Sequence, residues 1–134
     1  MTPDSRATAT VRRRHQAGSE VVCVGVRFEP GEFRIRSQFE QPVVLQPTVE
    51  CCARYPSRSA LFKGCEGAAT SGVFYATGGV RETCGCAVFT KFDGASLSPE
   101  CFIGFAIAAT IACLRALGLE HRMPGVDMQG WEEI

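Results

Sequence analysis

The sequence predicts an α/β (or α+β) fold: a single domain with a mixed sheet and one long buried helix near the C-terminus. Three observations carry this. The chain has 134 residues, the size of one ordinary domain. Its hydrophobic content of 46% against 21% charged residues excludes wholesale disorder. β-rich runs at residues 21–28, 33–39, 72–77 and 87–92 are interleaved with a short and a long helical pattern, as expected where helices cover a sheet.

Taken in order, residues 1–19 are polar and basic, with Arg12-Arg13-Arg14-His15, and read as a solvated tail. The domain proper is expected over 20–118. Residues 21–28 are rich in Val and read as a central strand. Pro30-Gly31 signals a turn, and 33–39 alternates apolar and polar as a returning strand with one wet face. Residues 41–47 hold two prolines around Val43-Val44-Leu45 and read as an edge strand or an extended loop. Residues 57–63 form a short helix ended by Gly64 or Gly67. Strands follow at 72–77 and 87–92, closed by Gly78-Gly79 and Asp93-Gly94.

The clearest element is a helix over about 99–117. Ser98 is a good N-cap, Pro99 suits the first helical position, and Gly118 supplies the stop. The helix is apolar on nearly every face, so it is expected to be buried. Its small residues, Gly104 and Ala106 among them, permit close helix approach, and an exposed copy of such a helix predicts a homo-oligomer. Residues 119–134 read as a polar surface tail.

Fourteen Lys+Arg balance fourteen Asp+Glu. A net charge of zero argues against a dedicated nucleic-acid binder, which needs a basic excess. The longest uncharged apolar run, residues 101–114, is too short to span a bilayer. No apolar export signal stands at the start, so a reducing cytoplasm is expected, with an Arg-rich organelle presequence as the alternative.

The eight cysteines are the unusual count. In a reducing compartment they are free, metal-bound or catalytic. Cys23, Cys101 and Cys113 sit in apolar elements and read as core, since cysteine packs as a small hydrophobe. Cys65 fits either role. Cys51-Cys52 and Cys84-Gly85-Cys86 lie in or beside expected loops, and close thiol pairs from two segments are how small domains build a tetrahedral zinc site.

The order of these blocks resembles the small zinc-dependent cytidine deaminases over residues 21–92. The blocks are Val24-Gly25, then Gln38 to Glu40, Cys52-Ala53, Ala60-Leu61-Phe62-Lys63 with Glu66-Gly67, and Cys84-Gly85-Cys86. The resemblance implies zinc held by Cys52, Cys84 and Cys86, and a small nucleoside-like substrate contacted by Gln38 and Glu40. Arg54 stands where that family carries its catalytic glutamate, so Glu50 or Glu66 is expected as the proton shuttle. Two alternatives come from other classes. Cys52 followed six residues later by Arg58 is similar to the Cys-x5-Arg anion loop of thiol phosphatases and rhodanese-like enzymes. The apolar helix 99–117 fits a non-enzymatic assembly subunit.

Overall fold

A computed structural model describes residues 5–15 and 18–134. It is an α/β arrangement with a single mixed sheet. The strands are β1 (Ser5–His15), β2 (Gly18–Glu29), β3 (Ile35–Ser37), β4 (Val44–Pro47), β5 (Cys86–Leu97) and β6 (Glu132–Glu133). The helices are α1 (Val49–Arg54), α2 (Arg58–Ala76) and α3 (Cys101–Ala116), with a 3₁₀ turn at Glu120–Gly125. The sheet runs β3-β5-β2-β1-β6, and β4 also lies beside β5. β2 is antiparallel to both β1 and β5, whereas β3 and β4 follow one another parallel to β5 and form the free edge.

The expected basic tail is instead a strand wherever it is described. Ala9 and Val11 turn inward and are buried, while Arg6, Thr8 and Thr10 alternate with them on the opposite face. Residues 1–4, 16 and 17 of the expected tail lie outside the described residues. β1 takes the place beside β2 that was expected for residues 33–39. Only Ile35–Ser37 of that run is strand, and it pairs with β5. Ordering β1 against β2 buries an apolar row on a long ladder, which the short segment after Pro30-Gly31 cannot match.

Residues 72–77, expected as a strand, are the last turns of α2, and neither Gly64 nor Gly67 stops that helix. Two of its glycines serve packing. A Cβ at Gly64 would lie 2.5 Å from the Phe102 ring, and one at Gly72 would lie 2.4 Å from the Ala106 carbonyl oxygen. α2 therefore crosses α3 at the small-residue stripe that was expected to serve a dimer. α3 is covered by α2 on one side and by β1 and β2 on another, and its residues from Ile107 to Leu114 are all buried. Trp131, in the expected polar tail, packs against Gly104 and is buried. Glu133 pairs with Arg115, and Ile134 N–H donates to the Thr10 carbonyl, so the C-terminal segment closes the far edge of the sheet.

The sheet face opposite the helices carries polar arms paired with one another. Arg6 meets Glu40 at 3.0 Å, Arg12 meets Glu132 at 2.7 Å, and Glu29 receives Arg27 at 2.7 Å and Arg36 at 2.6 Å. Val88 sits directly between Arg27 and Arg36 and is fully buried although no helix lies over it, because long arginine stems cover apolar surface while their heads stay in water. Each of these four cations faces a carboxylate. Among the described residues no helix is long and apolar enough to cross a membrane.

Gly25 pairs with Lys91 and Val26 with Phe89, so Thr90 is the extra residue of a β-bulge. A Cβ on Gly25 would meet Thr90 Oγ1 at 2.7 Å, which is why glycine is needed there. The bulge lets β5 continue past the expected stop at Asp93-Gly94 as far as Leu97, where the candidate site begins.

The α2–α3 crossing gives a stability test. Gly72→Ala must displace the Ala106 backbone, and overpacking of this kind costs about 1–3 kcal/mol. Urea unfolding is expected to show a lower midpoint at an unchanged slope, whereas Gly67→Ala, with open space around it, is expected to leave the midpoint unchanged or raise it.

Candidate functional site

The site is built on a carboxylate that the sequence did not mark. Glu20 is a charged residue on the inward face of β2 and is completely buried. An ion in this position costs several kcal/mol unless its oxygens are satisfied. Four hydrogen bonds do so. Arg13 donates to Glu20 Oε1 from Nε at 3.2 Å and from Nη2 at 2.8 Å. The Ser98 amide donates to Oε2 at 2.7 Å, and the Ser98 hydroxyl donates to Oε1 at 3.0 Å. Ser98 Oγ also accepts from Arg13 Nη2 at 2.8 Å and from the Glu100 amide at 3.1 Å, which organises the approach to α3. Arg13 lies over the Trp131 ring at 5.3 Å, a cation–π contact that holds the guanidinium from its other side.

Above this network opens a cleft of about 510 Å³. Arg13 and His15 line it from the end of β1, Thr48, Val49 and Glu50 from the start of α1, and Ser98 and Glu100 from the β5–α3 junction. Thr48 fixes α1 here. Its amide and hydroxyl both donate to the Leu97 carbonyl, at 2.9 and 2.8 Å, and its Oγ1 caps the Cys51 amide. Glu100 approaches Arg13 Nη2 at 3.8 Å. Glu50 has no ion pair among the described residues. His15 Nε2 is buried without a hydrogen-bond partner among them. The cleft thus presents an imidazole, a guanidinium and two carboxylates on a rigid base, a set able to bind polar groups and to exchange protons.

The residues expected from the sequence are dispersed. Glu50 is in the cleft. Glu66, on α2, accepts from the Ser37 hydroxyl at 2.8 Å. Gln38 accepts from Arg27 and Arg36, and Glu40 pairs with Arg6, all at the end of β3 and on the face away from the helices. Cys52 lies on α1, anchored to the last residue of β5, whereas Cys86 opens that strand and Cys84 precedes it. Twelve residues of strand separate those ends by roughly 35 Å, and a six-residue helix rises only about 9 Å. The zinc set Cys52, Cys84 and Cys86 is therefore not brought together. Among the described residues no group of three or more His, Cys, Asp or Glu side chains is placed to hold a metal ion. Cys52 stands within a helix rather than on a loop after a strand, so backbone amides do not form an anion cradle with Arg58.

The thiols group differently from the pairs seen in the chain. Cys51, Cys65 and Cys101 come from three helices, are fully buried, and meet behind the cleft. Cys101 lies close to both others, and Glu20 lies near enough to act on it. Burial pushes the Cys51 thiol up to about 11. The hydrogen bond with Cys65, then burial, raises Cys101 further. Burial also raises Cys113 and Cys84. The Cys84 S–H points to the Arg81 and Gly85 carbonyls, and that of Cys86 to the Ala87 carbonyl. Cys51, Cys84, Cys101 and Cys113 are thus protonated packing thiols rather than nucleophiles.

No family model, curated protein or solved structure matches the chain.

Two expectations follow for the thiols. Cys52 is the one exposed cysteine of the eight, so iodoacetamide under native conditions is expected to add a single adduct by intact mass, with the other seven appearing only on denaturation. A thiol whose folded pKa is raised contributes stability that is complete below its unfolded value and is lost as pH rises toward the folded one. Thermal stability is therefore expected to decline above about pH 9, with Cys51→Ser flattening that alkaline limb.

Proposed function

We propose that the protein binds a small polar molecule in the cleft between the end of β1, the start of α1 and the β5–α3 junction, with His15 and Glu50 as its acid–base groups. The observation that carries this reading is the buried Glu20 carboxylate and its four hydrogen bonds, which hold Arg13 and Ser98 in the cleft wall. Apolar side chains of similar volume stabilise a core at least as well as a buried ion pair. The charged network is therefore best understood as positioning.

The lining sets the ligand's chemistry. Glu50 and Glu100 accept hydrogen bonds, so they suit an ammonium, amide or amino nitrogen. Arg13 donates, so it suits an oxygen on the same molecule. His15, whose Nε2 has no hydrogen-bond partner among the described residues, is the group suited to exchange a proton with a ligand. The nucleoside-like substrate expected from the sequence is one compound of this size and polarity. Zinc has no part in the proposal, because its expected ligands lie at opposite ends of β5. Eight unpaired cysteines favour a reducing compartment, the cytoplasm.

The test is an NMR titration of isotope-labelled protein with a set of small amides, amines and nucleosides. Binding is expected to shift the amides of Arg13, His15, Thr48, Glu50 and Ser98. Glu50→Gln, at an exposed position, is expected to weaken the best ligand by about tenfold, the loss of one charge-assisted hydrogen bond, with the fold intact. Shifts gathered elsewhere, or affinity unchanged from the unsubstituted protein in both Glu50→Gln and His15→Gln, would overturn the reading.

A further inference from the structure

We propose a second binding site, in the groove between β4 and the first turns of α2, that takes a medium-chain carboxylate: an anionic head with an unbranched apolar tail. The groove measures about 330 Å³ and is lined by Val43 and Leu45 on one side and Leu61 and Phe62 on the other. Its floor is firm, because Phe62 packs on Phe39 and Phe92 with ring centroids 5.9 and 6.1 Å apart. Arg58 and Ser59 stand at its mouth.

The charge at that mouth selects the occupant. Arg58 is the first residue of a nineteen-residue helix, where the helix dipole disfavours a cation, and no acidic residue in the first turn offsets it. Arg58 has no ion pair or hydrogen bond among the described residues, unlike the arginines of the open sheet face. An apolar trough ending in an unneutralised cation is complementary to an amphiphilic anion. A carboxylate at Arg58 would answer both the guanidinium and the helix end, and the tail would cover Leu45 and Phe62. An added β-strand fits less well. β4 has only four residues, ends on Pro47 and follows Pro42, which are the features that blunt a sheet edge against pairing.

The experiment is a titration of labelled full-length protein with hexanoate, octanoate and decanoate below micelle formation, with octanol and octylamine as controls. Shifts are expected at Val43, Leu45, Leu61 and Phe62, with the residues of the Arg13 cleft unmoved. Affinity is expected to rise about fourfold per added methylene until the groove is full. Arg58→Gln is expected to weaken octanoate about threefold to fivefold and to leave octanol unchanged, the range for one solvent-exposed ion pair. Octanol or octylamine binding as well as octanoate would overturn the proposal, as would the absence of groove shifts. Groove shifts that depend on protein concentration without ligand would assign the surface to a second copy and also overturn it. The proposal does not depend on the Arg13 cleft, and either site can fail alone.

Discussion

One buried carboxylate ties together the segments at one end of this fold. Glu20 sits on the inward face of β2, yet its hydrogen bonds reach β1 through Arg13 and the β5–α3 junction through Ser98. Leu97, one residue before Ser98, receives both donors of Thr48 and so sets the start of α1. Arg13 in turn lies over Trp131, which fills the space left by Gly104 on α3. An ion in a low-dielectric interior tolerates little displacement of its partners, so four segments distant in sequence share one geometry.

The helical layer obeys a different constraint, which is volume. α2 and α3 approach closely because glycines meet a carbonyl and a phenyl ring, and Cys65 of α2 lies beside Cys101 of α3. The cysteines behave here as small apolar residues. Their raised pKa values follow from burial and from one another, and they sit behind the polar cleft rather than in it. The thiols are thus separated from the imidazole and carboxylates that line the cleft.

The two faces of the sheet divide the charges. The open face sets cation against carboxylate across neighbouring strands, so its arginines serve solubility and cover Val88. Two of the cationic groups outside that arrangement border clefts. Arg13 is turned inward onto Glu20, and Arg58 stands at the start of α2 beside an apolar groove. These two arginines stand at the two sites proposed for ligands.

The sequence by itself determined the class of fold and its most apolar parts. Residues 21–28, 87–92 and 99–117 could be assigned because Val-rich runs and an unbroken apolar helix with Pro99 and Gly118 at its ends report local physics. The strand alternation of Ala7, Ala9 and Val11 was also present, masked by Arg6 before it and the Arg12-Arg13-Arg14 run after it. The tertiary structure alone decided the partners. Gly64 looks like a helix stop, and Gly72 like the start of a strand, until Phe102 and the Ala106 carbonyl occupy the space beside them. Cys52 and Cys84 look like halves of one site until twelve residues of strand hold them apart. Glu20 looks like a surface residue because its neutralising partners, seven residues before it and 78 after it, meet it only when the sheet and α3 assemble. Periodicity and capping are short-range effects that a chain carries with it. Burial of a charge and closeness of two thiols depend on contacts that exist only once distant segments have packed.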